Sequence, residues 1–226
     1  MMGDLAFAGS PTPPSVTTTA VDIPLPYRST YSLNQDLVRL HMNGTDSTFD
    51  IPRNYIDIPG RFGKFAAVKN VLLLSLLPGL AGREAGNERQ FAAVPASQLL
   101  AILLNTPSAG PWDMARVEDA YAQDRSEYGH QQLGVLYGLT AMRQVPPNSG
   151  RGWHWKYVLW QGPEHSPSVS IVCDGEGTVP YPSCVHHFLY KSLLVQLSYA
   201  KTNLPQWDFI QQSVRTKLDE WAQAQP

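Results

Sequence analysis

The chain has 226 residues, 43% of them hydrophobic and 16% charged, with 17 Lys and Arg against 19 Asp and Glu. That apolar content is enough to bury a core and excludes wholesale disorder, while a net charge of −2 without a long basic run gives no electrostatic basis for binding nucleic acid. The longest near-continuous apolar stretch, Val71 to Leu77, is far short of the ~20 residues needed to cross a bilayer, so no transmembrane segment is expected.

Residues 1–30 hold Pro11, Pro13, Pro14, Pro24 and Pro26 beside a Thr run, which predicts a disordered or extended N-terminal arm, with residues 31–226 as a single domain. The first sixteen residues lack a basic n-region and an apolar h-region. They read either as a disordered leader or as the start of a mature fragment from which a signal or lipoprotein peptide has been removed.

After the arm, Leu37, Val38, Leu40 and Met42 precede Asn43-Gly44, and Phe49 and Ile51 resume the apolar pattern, which predicts a β-hairpin closed by Pro52 and Pro59. Val71 to Leu77 is short and uniformly apolar, so it is expected to be a central strand ended by Pro78-Gly79. Leu80 to Arg89 reads as a long polar loop, and Leu99 to Leu104 as a strand or a short helix between which periodicity does not decide. Pro111 to Tyr128 carries scattered acids and isolated aromatics and predicts an exposed, partly helical excursion suited to binding.

Leu133, Val135, Tyr137 and Leu139 alternate as one strand, and after PPNSGRG the set Trp153, Trp155, Tyr157 and Leu159 alternates as another, with Trp160 on the opposite face. Val169 to Cys173 and Leu193 to Tyr199 add two more strands. The C-terminus predicts a helix capped by Thr202 or Asn203, with Pro205 in its first turn. Its apolar stripe is Leu204, Trp207, Ile210, Val214, Leu218 and Trp221, and its opposite, polar face Gln211, Gln212, Arg215, Asp219 and Gln223. The expected class is α+β, a mainly antiparallel β-sheet with a C-terminal amphipathic helix packed on it.

Cys173 and Cys184 flank the turn-rich segment DGEGTVPYPS. A loop this short could bring the sulfurs together as a disulfide, worth roughly 2–3 kcal/mol in the chain-entropy model, and would imply an oxidising compartment. The other reading is two unrelated buried thiols.

No nucleophile elbow, zinc-helix pair, phosphate loop or dinucleotide fingerprint occurs. His186 and His187 are adjacent, so in a strand they point to opposite faces and cannot share one metal. Combining one of them with His154, His165 or a cysteine matches no standard zinc framework. Asp174 and Glu176, or Glu118 and Asp119, read as solvated acidic turns rather than acid/base pairs. Trp153, Trp155 and Tyr157 are either core or interface residues, which Arg151, Lys156, Tyr181 and Tyr128 could join. Catalytic residues, cofactors and metals are therefore not expected.

Three passages, STFDIPRNYI (47–56), VLLLSLLPGLAGREAGNERQF (71–91) and SCVHHFLYKSLLVQLSYAKTNLPQWDFIQQSV (183–214), resemble small periplasmic immunity proteins of type VI secretion effectors. The last also resembles PsbP-like domains, an antiparallel sheet flanked by helices. The resemblance implies a toxin-neutralising protein of the periplasm, without enzymatic activity, that occludes the active site of a cognate effector enzyme such as a lipase or peptidoglycan hydrolase. On this reading the excursion would carry the partner-binding residues Trp112, Asp113, Glu118, Asp119, Asp124 and Tyr128 toward a basic or apolar cleft. The alternatives are a structural or assembly module of the bacterial envelope, and a hydrolase whose Ser, His and Asp converge only in space.

Overall fold

The computed structural model describes residues 32–93, 97–106, 129–145, 155–163 and 167–223. The N-terminal arm, the excursion with its partner-binding residues, and Arg151, Trp153, His154 and His165 lie outside the described residues.

Asn43-Gly44, with Gly44 at φ 78°, reverses the chain between β1 (Leu37–Met42) and β2 (Thr48–Pro52), as the dipeptide predicted. β3 (Phe65–Val68), absent from the expected elements, pairs in parallel with β1 and completes a three-stranded sheet, β2-β1-β3. The remaining strands are β4 (Asn70–Leu76), β5 (Leu99–Asn105), β6 (Gly129–Leu136), β7 (Leu139–Val145), β8 (Lys156–Gln161), β9 (Val169–Asp174), β10 (Ser183–Tyr190) and β11 (Leu193–Ala200). They form one antiparallel eight-stranded sheet in the order β4-β5-β11-β10-β9-β8-β7-β6. With the C-terminal helix α2 (Trp207–Gln223) docked against it, the class is α+β.

The structure departs from the expected elements in further places. β4 is an edge strand rather than a central one, and its burial alternates: Val71 and Leu73 are buried while Leu72 is 36% exposed. The run from Leu133 to Leu139 is not one strand: Tyr137 and Gly138, at φ 53° and 81°, turn the chain between β6 and β7. A bulge between Gln132 and Gly134 also shifts the side-chain parity, so Leu133 and Leu136 pack against the core while Val135 is 71% exposed. The segment Leu80 to Arg89 buries Leu80 and Arg83 and enters a short helix, α1 (Glu88–Ala92), so it is not simply a polar loop.

The C-terminal helix differs as well. A 3-10 turn over Lys201–Gln206 holds Leu204 and Pro205, and the α-helix proper begins at Trp207. The whole predicted apolar stripe is buried. The expected polar face, however, is partly turned to the sheet. Gln211 Oε1 lies 2.9 Å from His186 Nε2, Tyr190 donates to Asp219 at 2.6 Å, and Arg215 donates to the carbonyl of Leu189 at 2.8 Å. A polar residue at the margin of a helix stripe reads as solvated in sequence, and only the facing strand shows that it has a partner.

The core lies between the inner face of the large sheet, the small sheet and α2. Leu40, Met42, Phe49 and Ile51 from the small sheet meet Leu73, Ile102, Val195, Leu197 and Phe188 from the large one, with Trp207, Ile210, Val214 and Leu218 from α2. Fully burying a side chain of this size is worth about 1.5–3 kcal/mol.

His186 sits fully buried in this core, with Tyr199, Phe188 and Trp207 rings around it. The arrangement suits a neutral imidazole: Nε2–H donates to Gln211, and Nδ1 accepts from the Tyr199 hydroxyl at 3.3 Å. Burial, only partly offset by the Gln211 hydrogen bond, lowers the His186 pKa to about 3, and burial lowers that of His187 as well. The unfolded chain therefore binds more protons than the folded one between about pH 3 and the ordinary histidine value of ~6.5. Stability is fully present above that window and is lost as pH falls through it. Urea midpoints taken from pH 8 to pH 4 should drop on acidification, and His186→Gln should flatten the slope.

Candidate functional site

One row of side chains crosses the entire large sheet. The strand registers set Gln131, Arg143, Tyr157, Cys173, Cys184, Tyr199, Leu100 and Ser75 opposite one another in turn. Cys173 and Cys184 are directly facing residues of β9 and β10 and form the disulfide, so the pairing reading of the two cysteines is the one realised. The bridge closes the 174–183 loop at its base.

That loop is then fastened to its surroundings. Asp174 Oδ2 accepts from the Ser183 amide at 3.0 Å and from the Ser183 hydroxyl at 3.1 Å. Gly175 donates its amide to the carbonyl of Trp155 at 2.8 Å and lies so close to the indole that an added Cβ would collide with the ring. Lys201, just past β11, donates to the Asp174 carbonyl at 3.0 Å and to Glu176 at 2.6 Å, while its backbone amide bonds the Pro182 carbonyl at 2.9 Å. Its ammonium also lies 4.1 Å from the centre of the Tyr157 ring.

Tyr157 completes the group by donating to Glu176 at 2.7 Å and meeting the Trp155 indole edge-to-face at 4.9 Å. Burial, and then the hydrogen bond to the Glu176 carboxylate, push the Tyr157 pKa up to about 12. Burial pulls Glu176 upward, but hydrogen bonds from Lys201 and Tyr157 outweigh it and hold the carboxyl below the ordinary value. Glu176 thus stays a carboxylate and Tyr157 a hydroxyl at neutral pH. Arg143 lies 5.9 Å from the Trp155 ring, and among the described residues no carboxylate pairs with it. Tyr181, on the same loop, is 57% exposed.

Chemically the arrangement holds aromatic rings and fixed charges on a braced loop. Of the carboxylates singled out in sequence, Asp174 and Glu176 do not converge on a common point: Asp174 is occupied by Ser183, and Glu176 by Tyr157 and Lys201. Of the aromatics read as core or interface, Tyr157 is half-buried and packs against the core and Trp155 is half-buried beside it, while Tyr181 is exposed and Trp160 falls on the opposite face with Met142, Val158 and Val172. Arg143 and Lys201 were missed. Nothing in their local sequence marks them, because each reaches the site only through strand pairing.

His186 and His187 do point to opposite faces, bonded to Gln211 and Gln196 respectively. Among the described residues no group of three or more His, Cys, Asp or Glu gathers around a point where a metal ion could bind. No described helix is long and apolar enough to cross a membrane. A cleft lined by Asp46, Ser47, Phe49, Lys191, Ser192 and Ala222 lies at the other end of β10, and its described lining holds no comparable cluster.

Two outcomes follow from the bracing. Reduction of the disulfide should lower stability by roughly 2–3 kcal/mol, read as a shift of the urea midpoint between samples with and without reductant. Gly175→Ala should force the Trp155 ring aside, changing the near-ultraviolet circular dichroism and lowering stability by about 1–3 kcal/mol in thermal melts.

No protein-family model matches the chain, and no curated protein matches it. Two solved structures are similar to it. The first is Smlt3025, an immunity protein of the Stenotrophomonas maltophilia type IV secretion system, with 20% identity and a TM-score of 0.59 over 84% of this chain and 94% of that one. The second is the Neisseria meningitidis iron-regulated outer membrane lipoprotein FrpD, with 11% identity and a TM-score of 0.56 over 85% of this chain and 95% of that one. The immunity protein belongs to a type IV system, not the type VI systems that the sequence resemblance suggested, and neither similar structure is a PsbP protein. At these identities the similarity establishes a shared fold, one found both in a secretion-system immunity protein and in an outer membrane lipoprotein.

Proposed function

We propose that this chain is an immunity-type binding protein, without enzymatic activity, that neutralises a cognate secreted antibacterial effector by occluding its active site. The observation that carries the reading is the similarity in fold to a secretion-system immunity protein across most of both chains. The disulfide and the rigid aromatic and charged surface beside it add support, since a bridge of this kind suits an oxidising compartment such as the periplasm and a preorganised surface suits tight binding. A type IV system is the better-supported source of the effector, and type VI rests on the sequence resemblance alone. The partner is proposed to be a lipase or peptidoglycan hydrolase, substrates for which lie where a periplasmic immunity protein would be needed.

The reading is tested by affinity capture from the source organism, identification of the captured protein by mass spectrometry, and purification of the pair by size exclusion. A stoichiometric complex in which the captured enzyme is inhibited is the expected result. Export of this chain to the periplasm of a host making that enzyme should restore growth. The residues proposed in the excursion are tested on the same complex: replacing Trp112 and Asp113 together should weaken binding about 30-fold or more, the scale of a hot spot worth roughly 2 kcal/mol. Unchanged affinity removes that segment from the interface.

A second reading, a structural or assembly module of the envelope, is favoured by the similarity to an outer membrane lipoprotein. It predicts capture of envelope components only, and no protection of growth.

A further inference from the structure

Strands β5 and β6 follow one another in the chain but stand far apart in the large sheet. The order β5-β11-β10-β9-β8-β7-β6 puts six inter-strand steps between them, about 29 Å at ~4.8 Å each. Every one of those steps is antiparallel, so β5 and β6 run in the same direction. Leu100 and Gln131 lie in the row that crosses the sheet, so β5 ends at Asn105 on one margin and β6 begins at Gly129 on the opposite margin. Strands of one direction in one sheet need a crossover, and residues 107–128 therefore have to travel diagonally between these margins. The inner face is filled by α2 and the small sheet, which leaves the outer face.

That outer face bears a buried band along the same diagonal. Leu194 on β11, His187 on β10, Val172 on β9, Val158 on β8, and Met142 and Gln144 on β7 are each no more than 6% exposed. By strand parity they point away from the core. The registers set Leu194 opposite Asn105 at one margin and Gln144 opposite His130 at the other. Off the diagonal the same face is open. Thr140, on β7 toward the Asn105 margin, and Ser183, on β10 toward the Gly129 margin, are exposed.

Met142, Val158, Trp160 and Val172 form a cluster of their own, and among the described residues no further hydrophobic side chain packs on it. The burial of the band therefore calls for a covering segment outside the described residues. The 146–154 loop joins neighbouring strands and, at about 3.5 Å per residue, is too short to reach Leu194, four strands away at the opposite margin, and return.

The geometry points to residues 107–128 as the cover: they cross the outer face of the large sheet along the band and dock there as a further layer. The segment has the chemistry for that seat. Met114, Val117 and Tyr121 recur at spacings of three and four, the pattern of one apolar helical side, and this side is matched by the apolar cluster of the band. The inference does not depend on the effector reading. It makes the segment part of the fold, held on the sheet with or without a partner.

The test uses the full chain, labelled at its methyl groups and observed by NMR. Nuclear Overhauser contacts from the methyls of Met142, Val158 and Val172 should reach residues 107–128 within one molecule, and the Thr140 methyl should show none. Val158→Lys should release the segment and speed tryptic cleavage after Arg116 and Arg125 at least 10-fold, with its melting temperature showing that the variant folds. Tyr121→Ser, which leaves every described strand unaltered, should have the same effect and decides the matter if Val158→Lys does not fold. Contacts from the band to residues 146–154 alone would assign the face to that loop and overturn the inference. Contacts between differently labelled molecules in a mixed sample would assign it to a second copy and overturn it as well. Cleavage after Arg116 and Arg125 as fast in the unsubstituted chain as in the variants would also overturn it, and none of these outcomes touches the effector reading.

Discussion

The contact on which the rest of the structure depends is the seat of α2 between the two sheets. Trp207, Ile210, Val214, Leu218 and Trp221 close a core whose other walls are the small sheet and the inner face of the large one. Removing the helix would expose both inner faces at once. Apolar burial alone would let the helix slide, since one leucine-lined groove resembles another. The polar bonds to His186, Tyr190 and the Leu189 carbonyl are spaced along β10 and specify one position. Each of these groups is satisfied, so the register is obtained without leaving a buried polar atom of the three contacts unpaired.

The disulfide has a different part. Its two residues already face each other across paired strands, so it adds little to the topology of the sheet. What it restrains is the loop between them. Lys201 ties that loop to the entry of α2, and Trp155 ties it to β8, so the rings and charges at this end of the sheet are held before any partner arrives. Ordering costs at binding fall when the surface is already ordered.

Much of the fold was legible because hydrophobic periodicity reports burial directly. The Asn43-Gly44 hairpin, the strands around Cys173 and Tyr199, and the apolar stripe of α2 all follow from spacing alone. The misreadings share one cause, that periodicity is blind to what lies across from a strand. It took the alternation at Leu133 to Leu139 through a two-residue turn and a bulge, gave an edge strand to the centre, and assigned Gln211 and Asp219 to solvent. The candidate site was half legible for the same reason. Trp155 and Tyr157 announce themselves by size and parity, whereas Arg143 and Lys201 acquire their positions from registers between segments distant in sequence.

The large sheet is consequently asymmetric in its mechanics. The β4, β5, β11 and β10 side is packed beneath the small sheet and the helix, and its margin is sealed by Ile56, Asp57 and Ala81. The β9 to β6 side gives Leu139, Ala141, Leu159 and Ile171 to the same core and is further tied by a disulfide, an ion pair and one indole hydrogen bond, while its margin is open among the described residues. An uncharged open edge invites unwanted pairing, and a bulge limits that hazard by bending the strand so that a flat partner fits only part of its length.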